Sequence, residues 1–279
     1  MRCYQYVPPE QFQKIFRKFV PRWFKAMKIM LTNDDGIYAE GLWALYRRFV
    51  PQHSVTVVAP DRERSAVGHG ITLHRPLRKT RVELYNGLQG YAVNGTPADC
   101  IKMGLMEILD KKPDVVVSGI NLGANVGVNI NYSGTVAAAR EAALYRVPAI
   151  AISMQGQAVM NFDDAAHFAV QLAEDVVRKG LPHGTILNVN IPDISMLAVS
   201  GVRISQQSTE LYDEYLEKRI DPRNRTYYWH GLDTQTSLNN PDVDTVALNE
   251  NYISITPIKC DSTDYDMLEA LKKWEIGKK

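Results

Sequence analysis

The chain has 279 residues, 45% of them hydrophobic and 23% charged, which is enough to bury a sizeable core in one large soluble domain with an elaboration. Its 32 basic residues nearly match its 31 acidic ones, and a net charge of +1 excludes the global field that draws proteins onto nucleic-acid polymers or anionic membranes. No run approaches the roughly 20 apolar residues of a spanning helix or the apolar centre of an export signal, and Cys3, Cys100 and Cys260 are too scattered for a disulfide framework or a CxxC metal site, so reduced thiols in a cytoplasmic protein are expected.

Residues 1–26 stand apart, because Arg2, Lys14, Arg17, Lys18, Arg22 and Lys25 face a single acid, Glu10. Phe12, Ile15, Phe16 and Phe19 fall at near-helical spacing, which allows a basic amphipathic surface helix. An organelle presequence is a second reading, weakened by the lack of serine. The preferred third reading is a basic N-terminal extension upstream of a natural start at Met27.

From Met27 short apolar runs alternate with longer helical ones, the pattern of βα units in a mostly parallel sheet. Strands are expected at Lys28–Thr32, Ser54–Ala59, Asp114–Ser118, Ala149–Ser153 and Thr185–Asn190, each β-branched and bounded by turn residues. Crossover helices are expected at Gly41–Val50, Pro97–Leu109, Ser133–Tyr145 and Asp163–Lys179, with Pro97 at a first helical position and Gly180 just past a last turn. Right-handed crossovers then give an open, doubly wound α/β sheet whose ligands bind at the carboxyl edge of the strands. This core is taken as residues 27–205. Residues 206–279 form an extension: hairpins and loops over 206–251, rich in Tyr212, Tyr215, Tyr227, Tyr228 and Trp229, a returning strand at Tyr252–Thr256, and a terminal helix over 262–275. So aromatic a stretch at the edge of a core suits an interface.

Four loops carry chemistry. Thr32-Asn33-Asp34-Asp35-Gly36 follows the first strand; two adjacent carboxylates repel each other unless a cation sits beside them, although an Asx turn with a helix cap also explains the triplet Asp-Asp-Gly. In Asp61-Arg62-Glu63-Arg64-Ser65-Ala66-Val67-Gly68-His69-Gly70, Ser65 offers an oxygen to a metal or phosphate and His69 an acid or transition-state stabiliser; a solvated loop with a structural histidine is the plainer reading. The turn Asn94-Gly95-Thr96 ahead of Pro97 is both a capping box with Asp99 and a helix start that favours an anion. The run Ser118-Gly119-Ile120-Asn121-Leu122-Gly123-Ala124-Asn125-Val126-Gly127 suits backbone brought close to a ligand, with Asn121 as a neutral oxygen donor. Ser133-Gly134-Thr135 opens the next helix with donors for phosphate. No Gly-Lys-Ser/Thr completes a P-loop, and no GxGxxG follows the first strand. Carboxylate, hydroxyl and amide oxygens together select a hard cation, Mg²⁺ or Mn²⁺.

Taken in order, TNDDG, APDRERSAVGH, NGTPADC, SGIN-x-G-x-N-x-G and SGTV resemble the SurE family of survival-protein nucleotidases, from Met27 to about Lys259. The resemblance implies a Rossmann-like core and one divalent metal per subunit. It also implies hydrolysis of nucleoside 5′- and 3′-monophosphates, with short polyphosphate as a further substrate. Carried onto this chain, the family's metal ligands fall on Asp34, Asp35, Ser65 and Asn121. The family's dimers or tetramers, built through the C-terminal hairpin region, fit the aromatic stretch after Gln206. Asp34 or Asp35 then orients or deprotonates the nucleophile, and Asn94, Gly95, Thr96, Ser133, Gly134 and Thr135 hold the phosphate. Haloacid-dehalogenase phosphatases also place aspartates after the first strand, but Asn33-Asp34-Asp35-Gly36 lacks their DxDxT spacing. The other alternative is a noncatalytic module that binds nucleotide and metal in a stress response.

Overall fold

In a computed structural model the structure describes residues 26–83, 87–156, 162–210, 213–233, 240–274 and 276–277. Residues 1–25 of the basic extension, with Cys3, lie outside them, as do Tyr212 and residue 275 of the expected terminal helix. In chain order the elements are β1 (Lys28–Thr32), α1 (Glu40–Phe49), β2 (Ser54–Pro60), β3 (Lys79–Glu83), β4 (Gln89–Val93), α2 (Pro97–Met103), β5 (Val115–Leu122), α3 (Gly134–Leu144), β6 (Ala149–Met154), α4 (Phe162–Lys179), β7 (Thr185–Ile191), β8 (Gly201–Ile204), β9 (Asp213–Ile220), β10 (Thr226–Asp233), α5 (Asp244–Asn249), β11 (Tyr252–Lys259) and α6 (Tyr265–Leu271).

Nine strands form one sheet in the order β3-β4-β2-β1-β5-β6-β7-β11-β8. From β4 to β7 every neighbouring pair is parallel. β3 and β11 run antiparallel to their neighbours β4 and β7, so the doubly wound, mostly parallel α/β architecture is the one the periodicity predicts. β9 and β10 pair only with each other, as a separate hairpin.

Alternation along the central strands sorts side chains to two layers, because successive Cβ atoms leave a strand on opposite faces. Ile29, Leu31, Val115, Val117, Ile150 and Ile152 pack under α1 and α4. Met30, Val58, Val116, Ala149, Ala151 and Ile186 pack under α2 and α3. α1 enters its layer through Leu42, Leu45 and Phe49, all fully buried, each contributing about 1.5–3 kcal/mol by leaving water. α3 differs, since Val136, Ala137, Ala138, Ala139, Ala142 and Ala143 are buried on every side of the helix. A helix whose first two turns are buried all round is a core helix, and its alanines let it lie close to the sheet.

Several elements depart from the sequence pattern for identifiable reasons. β3 (KTRVE) was not expected as a strand; it is an exposed edge strand whose charges replace the apolar alternation that marks a buried one. The helix expected to reach Leu109 is α-helical only to Met103 and ends in a π turn, Gly104–Ile108, where Gly104 comes down onto Met30. β5 runs on through the glycine-rich segment to Leu122 because, after a register shift, Asn121 and Leu122 pair with Ser153 and Met154 of β6. Gly119 permits the shift: a Cβ there would stand 2.4 Å from the Ile152 carbonyl oxygen. Within 206–251 the expected hairpin is joined by α5, a helix too short to show periodicity, and β8 pairs parallel to β11 just ahead of it. The terminal helix, expected over 262–275, is α6 and begins at the Asp264 cap.

These late elements brace the carboxyl edge. Asp244 is buried and accepts the Gly127 N–H at 2.9 Å and the Ser208 N–H at 3.1 Å, fastening α5 to the loop after β5. The same loop is held from below by Asn125, whose N–H donates to Asn190 Oδ1 (2.8 Å), whose carboxamide donates to Ser153 Oγ (2.7 Å) and whose carbonyl accepts from Asn188 and Asn190. Buried and hydrogen-bonded, this network resists slippage of the loop.

Candidate active site

Strand order reverses at β1, with β2 on one side and β5 on the other, and the carboxyl ends of β1 and β5 are therefore the crevice where an open α/β sheet receives a ligand. The chain leaves β1 through Asn33, whose side chain folds onto Gly36: Nδ2 donates to the Gly36 carbonyl (3.0 Å) and Oδ1 accepts the Gly36 N–H (3.2 Å). That turn sends Asp34 inward and leaves Asp35 half-buried at the mouth.

Asp34 is only 4% exposed. Its carboxylate accepts the Thr135 hydroxyl across 101 residues of chain. Burial pushes its carboxyl above the ordinary range, partly offset by the Thr135 hydroxyl and by backbone N–H groups of Asp34, Thr135 and Gly134. The carboxylate thus sits on the N-terminus of α3, where unpaired amides and the helix dipole favour an anion. Asp35 is pushed up to about 7 by burial, then by the charges of Asp34 and Glu63, against one favourable hydrogen bond from the Leu122 N–H. Two acids raised in this way beside each other form a place that lacks positive charge.

The other loops reach these carboxylates through their immediate neighbours. The Arg64 N–H donates to the Asp34 carbonyl at 2.7 Å, which anchors the loop one residue from Ser65. Ser65 is exposed, and its hydroxyl donates to Glu63 Oε1 at 2.6 Å. Leu122, the donor to Asp35, follows Asn121. The Asn121 amide nitrogen is committed to the Gly123 carbonyl (2.7 Å), so its oxygen is the atom available to a ligand. Asp34, Asp35 and the anchor points of Ser65 and Asn121 converge on one edge, and their oxygens are the donor set of a hard cation. Among the described residues there is no group of three or more His, Cys, Asp or Glu that could hold a metal; the neutral oxygens offered beside the two carboxylates are those of Ser65 and Asn121.

The residues expected at the phosphate fall into two sets. Asn94 is engaged by the 76–78 segment, accepting the Arg78 N–H at 2.7 Å and donating to the Pro76 carbonyl at 3.4 Å. Gly95 lies against Asp99 and Leu77, and Thr96 closes a full capping box with Asp99 while its hydroxyl donates to the Gly70 carbonyl (2.8 Å). Asn94 thus holds the 76–78 segment, and Thr96 the end of the second loop. The second set faces the carboxylates: Ser133 caps α3 by accepting the Val136 N–H at 3.1 Å, and Gly134 and Thr135 lie against Asp34. His69 is held by Glu141, Nε2 to Oε2 at 2.7 Å.

Sequence reasoning passed over Glu63, Arg64, Glu141 and the asparagines of β7. Signals existed for two of these: a lone acid inside the alanine-rich run of α3, and two asparagines two apart in the otherwise apolar TILNVNI. Glu63 and Arg64 read as surface charge, and only the fold puts them beside the carboxylates.

Comparison with known proteins places the chain in a family. The family described as Survival protein SurE matches residues 29–214. A protein named 5′-nucleotidase SurE from Desulfatibacillum aliphaticivorans is 54% identical over 252 residues, covering 90% of this chain and 100% of the relative. One of the same name from Thermoanaerobacter pseudethanolicus is 46% identical over 250 residues, 90% of this chain and 99% of its own length. The crystal structure of the SurE protein from Aquifex aeolicus superposes with a TM-score of 0.78 at 36% identity, covering 88% of this chain and 98% of that one. With more than half of its length matched by the family and relatives aligned nearly end to end, the chain belongs to the SurE family.

Proposed function

We propose that the chain is a 5′-nucleotidase, a phosphoric monoester hydrolase that converts nucleoside monophosphates to nucleoside and phosphate with one divalent cation, Mg²⁺ or Mn²⁺, per subunit. The observation that carries this is the Asp34-Asp35 pair at the switch point of the sheet: Asp34 is raised by burial and seated on the N-terminus of α3, and Asp35 is raised by burial and by the charges of Asp34 and Glu63. The names of the matched relatives point to the same activity.

The donors fit a hard cation: Asp34, Asp35, Ser65 and Asn121 would hold it. When bound, the cation supplies Lewis-acid polarisation of a phosphoryl oxygen. Asp35, at the mouth, orients the attacking water and takes its proton. The Ser133 hydroxyl, which caps α3 as an acceptor, has its proton to give to a phosphate oxygen, backed by the Gly134-Thr135 helix start that holds Asp34, with the Asn94-Gly95-Thr96 turn completing the opposite wall. His69 protonates the departing nucleoside oxygen.

The direct test is release of inorganic phosphate from a panel of nucleoside monophosphates with Mg²⁺, Mn²⁺ or chelator. Turnover that depends on added metal is expected. Nucleotide binding without phosphate release under every metal would instead establish the noncatalytic module.

Protonation gives a second check. Because the Asp35 carboxyl is raised from 3.8 to about 7, the folded metal-free chain keeps, between about pH 4 and pH 7, a proton that the unfolded chain has released. Stability from this group is therefore lost as pH rises through that window. A bound cation replaces the proton, so added Mn²⁺ should raise the melting temperature more at pH 8 than at pH 6. A larger rise at the lower pH would refute this account of Asp35.

We also infer assembly through the β9–β10 hairpin as a homodimer or homotetramer. A lone two-stranded hairpin is marginal in water, yet this one exposes Tyr215, Leu216, Ile220, Tyr228 and Trp229. Leu216→Asp with Trp229→Asp should reduce the mass in sedimentation equilibrium to that of one chain; an unchanged mass would place the interface elsewhere. No helix of the described residues is long and apolar enough to cross a membrane, and the free thiols of Cys100 and Cys260 suit a cytoplasmic setting.

A further inference from the structure

His69 is bracketed by two bonds that tie its loop to the helix starts. The Gly68 N–H donates to the Tyr132 carbonyl (2.9 Å), next to Ser133, and the Gly70 carbonyl accepts the Thr96 hydroxyl (2.8 Å). The backbone that carries His69 is therefore tied to the turns that open α2 and α3, and its imidazole reaches Glu141 along α3. Its Nε2 lies 2.7 Å from Oε2 of Glu141, near the end of α3, and the other oxygen, Oε1, lies 2.7 Å from Lys102 Nζ on α2. Lys102 donates in turn to the Tyr145 hydroxyl at 3.1 Å.

Glu141 is 5% exposed within a run of Val and Ala. An alanine there would pack at no electrostatic cost, whereas a buried carboxylate is tolerated only when paired and hydrogen-bonded. Burial drives its carboxyl up, but the hydrogen bonds from His69 and Lys102 and the Lys102 charge outweigh that and hold it below the ordinary range. It is thus an ionised acceptor with one oxygen fixed by an ammonium and the other given to a histidine ring.

We propose that Glu141, fixed by Lys102, is a positioning residue for the hydrolysis: it keeps the proton on Nε2 of His69, so that Nδ1 is the atom that delivers a proton to the departing nucleoside oxygen. This rests on the nucleotidase reading of the site. An ionised carboxylate only accepts, so Nε2 carries hydrogen whether the ring is neutral or charged. In the charged ring Nδ1 carries the second proton. As the water oxygen bonds to phosphorus and the ester P–O bond breaks, the bonding pair goes to the nucleoside oxygen. The Nδ1 proton follows it, the ring becomes neutral, and the proton lost by water passes to Asp35. The alternative is a strut in which Glu141 and Lys102 merely join α3 to α2.

The two are separated by a double-mutant cycle in the full-length chain, assayed on a nucleoside monophosphate with Mn²⁺, together with ¹⁵N NMR of the histidine rings, His69 being assigned by its loss in His69→Ala. His69→Ala should lower kcat by about 10²-fold with little change in KM. Glu141→Ala should lower it roughly tenfold, Glu141→Gln, which retains an acceptor oxygen, should restore most of that, and Glu141→Ala should have no further effect in the His69→Ala background. The NMR should show Nε2–H with a bare Nδ1 in the neutral ring, and a mixture of tautomers in Glu141→Ala. Effects that multiply in the double variant, or an unchanged tautomer, would overturn the proposal in favour of the strut. Wild-type kcat in His69→Ala would remove it while leaving the nucleotidase reading intact; a wild-type chain inactive on every nucleotide removes both.

Discussion

Replacing Asp35 with Ala or Asn should cost roughly 10³-fold or more in phosphate release and at the same time make the metal-free protein more heat-stable at pH 8. The two effects share a cause. Asp35 is raised to about 7 by burial, by Asp34 and by Glu63, so at pH 8 the metal-free chain carries an ionised pair that its surroundings disfavour. Removing one member relieves the repulsion, and Asp34 keeps its bonds to Thr135 and the start of α3. The cation loses a charged ligand, so the rise in melting temperature on adding Mn²⁺ should shrink or vanish with the activity. Sites that hold like charges together for function are destabilised by them. A variant that is inactive but also less stable without metal would show that Asp35 is instead a structural carboxylate.

The second large effect is expected at Gly134. A Cβ there would stand 2.8 Å from Asp34 Cβ, 2.9 Å from Asp34 Oδ2 and 3.1 Å from Pro97 Cγ. Distances below 3.0 Å do not survive, and α3 cannot retreat, because it is buried on all sides. Rotation of the Asp34 side chain relieves the Oδ2 contact, and the turn that carries its Cβ must shift as well. Gly134→Ala should therefore displace that carboxylate, lower kcat/KM by about 10²-fold and weaken Mn²⁺ binding measured by titration calorimetry. Helix propensity works the other way, since Ala is favoured over Gly by up to about 1 kcal/mol. Lost activity and lost metal affinity with a modest loss of stability is the expected signature. Retained Mn²⁺ affinity would show that the carboxylate had not moved.

Legibility in the sequence followed the range of the interactions. β1 is read at its true ends because KIMLT is a doubly apolar run cut by Asn33, and α1 and α4 announce their apolar stripes. The capping box of Thr96 with Asp99 needs only three residues of spacing, and it forms as expected. β3 was missed because an edge strand carries little apolar alternation, and the extension of β5 because a glycine-rich run pairs only when β6 is there to receive it.

By itself the sequence determined the βα rhythm, the doubly wound sheet and the loops that end on its carboxyl edge, and its ordered motifs carried the family. All of these are written in local periodicity, turn chemistry and short spacings. Tertiary structure alone decided how those loops are used. Asp34 meets Thr135 across 101 residues, and His69 meets Glu141 across 72. The Asn94 side chain holds the 76–78 segment and the Thr96 hydroxyl holds the Gly70 carbonyl, contacts that no spacing in the sequence announces. Side-chain partners so distant in the chain leave no periodic trace, and burial, which raises the carboxyls of Asp34 and Asp35, is a property of the packed layers around them.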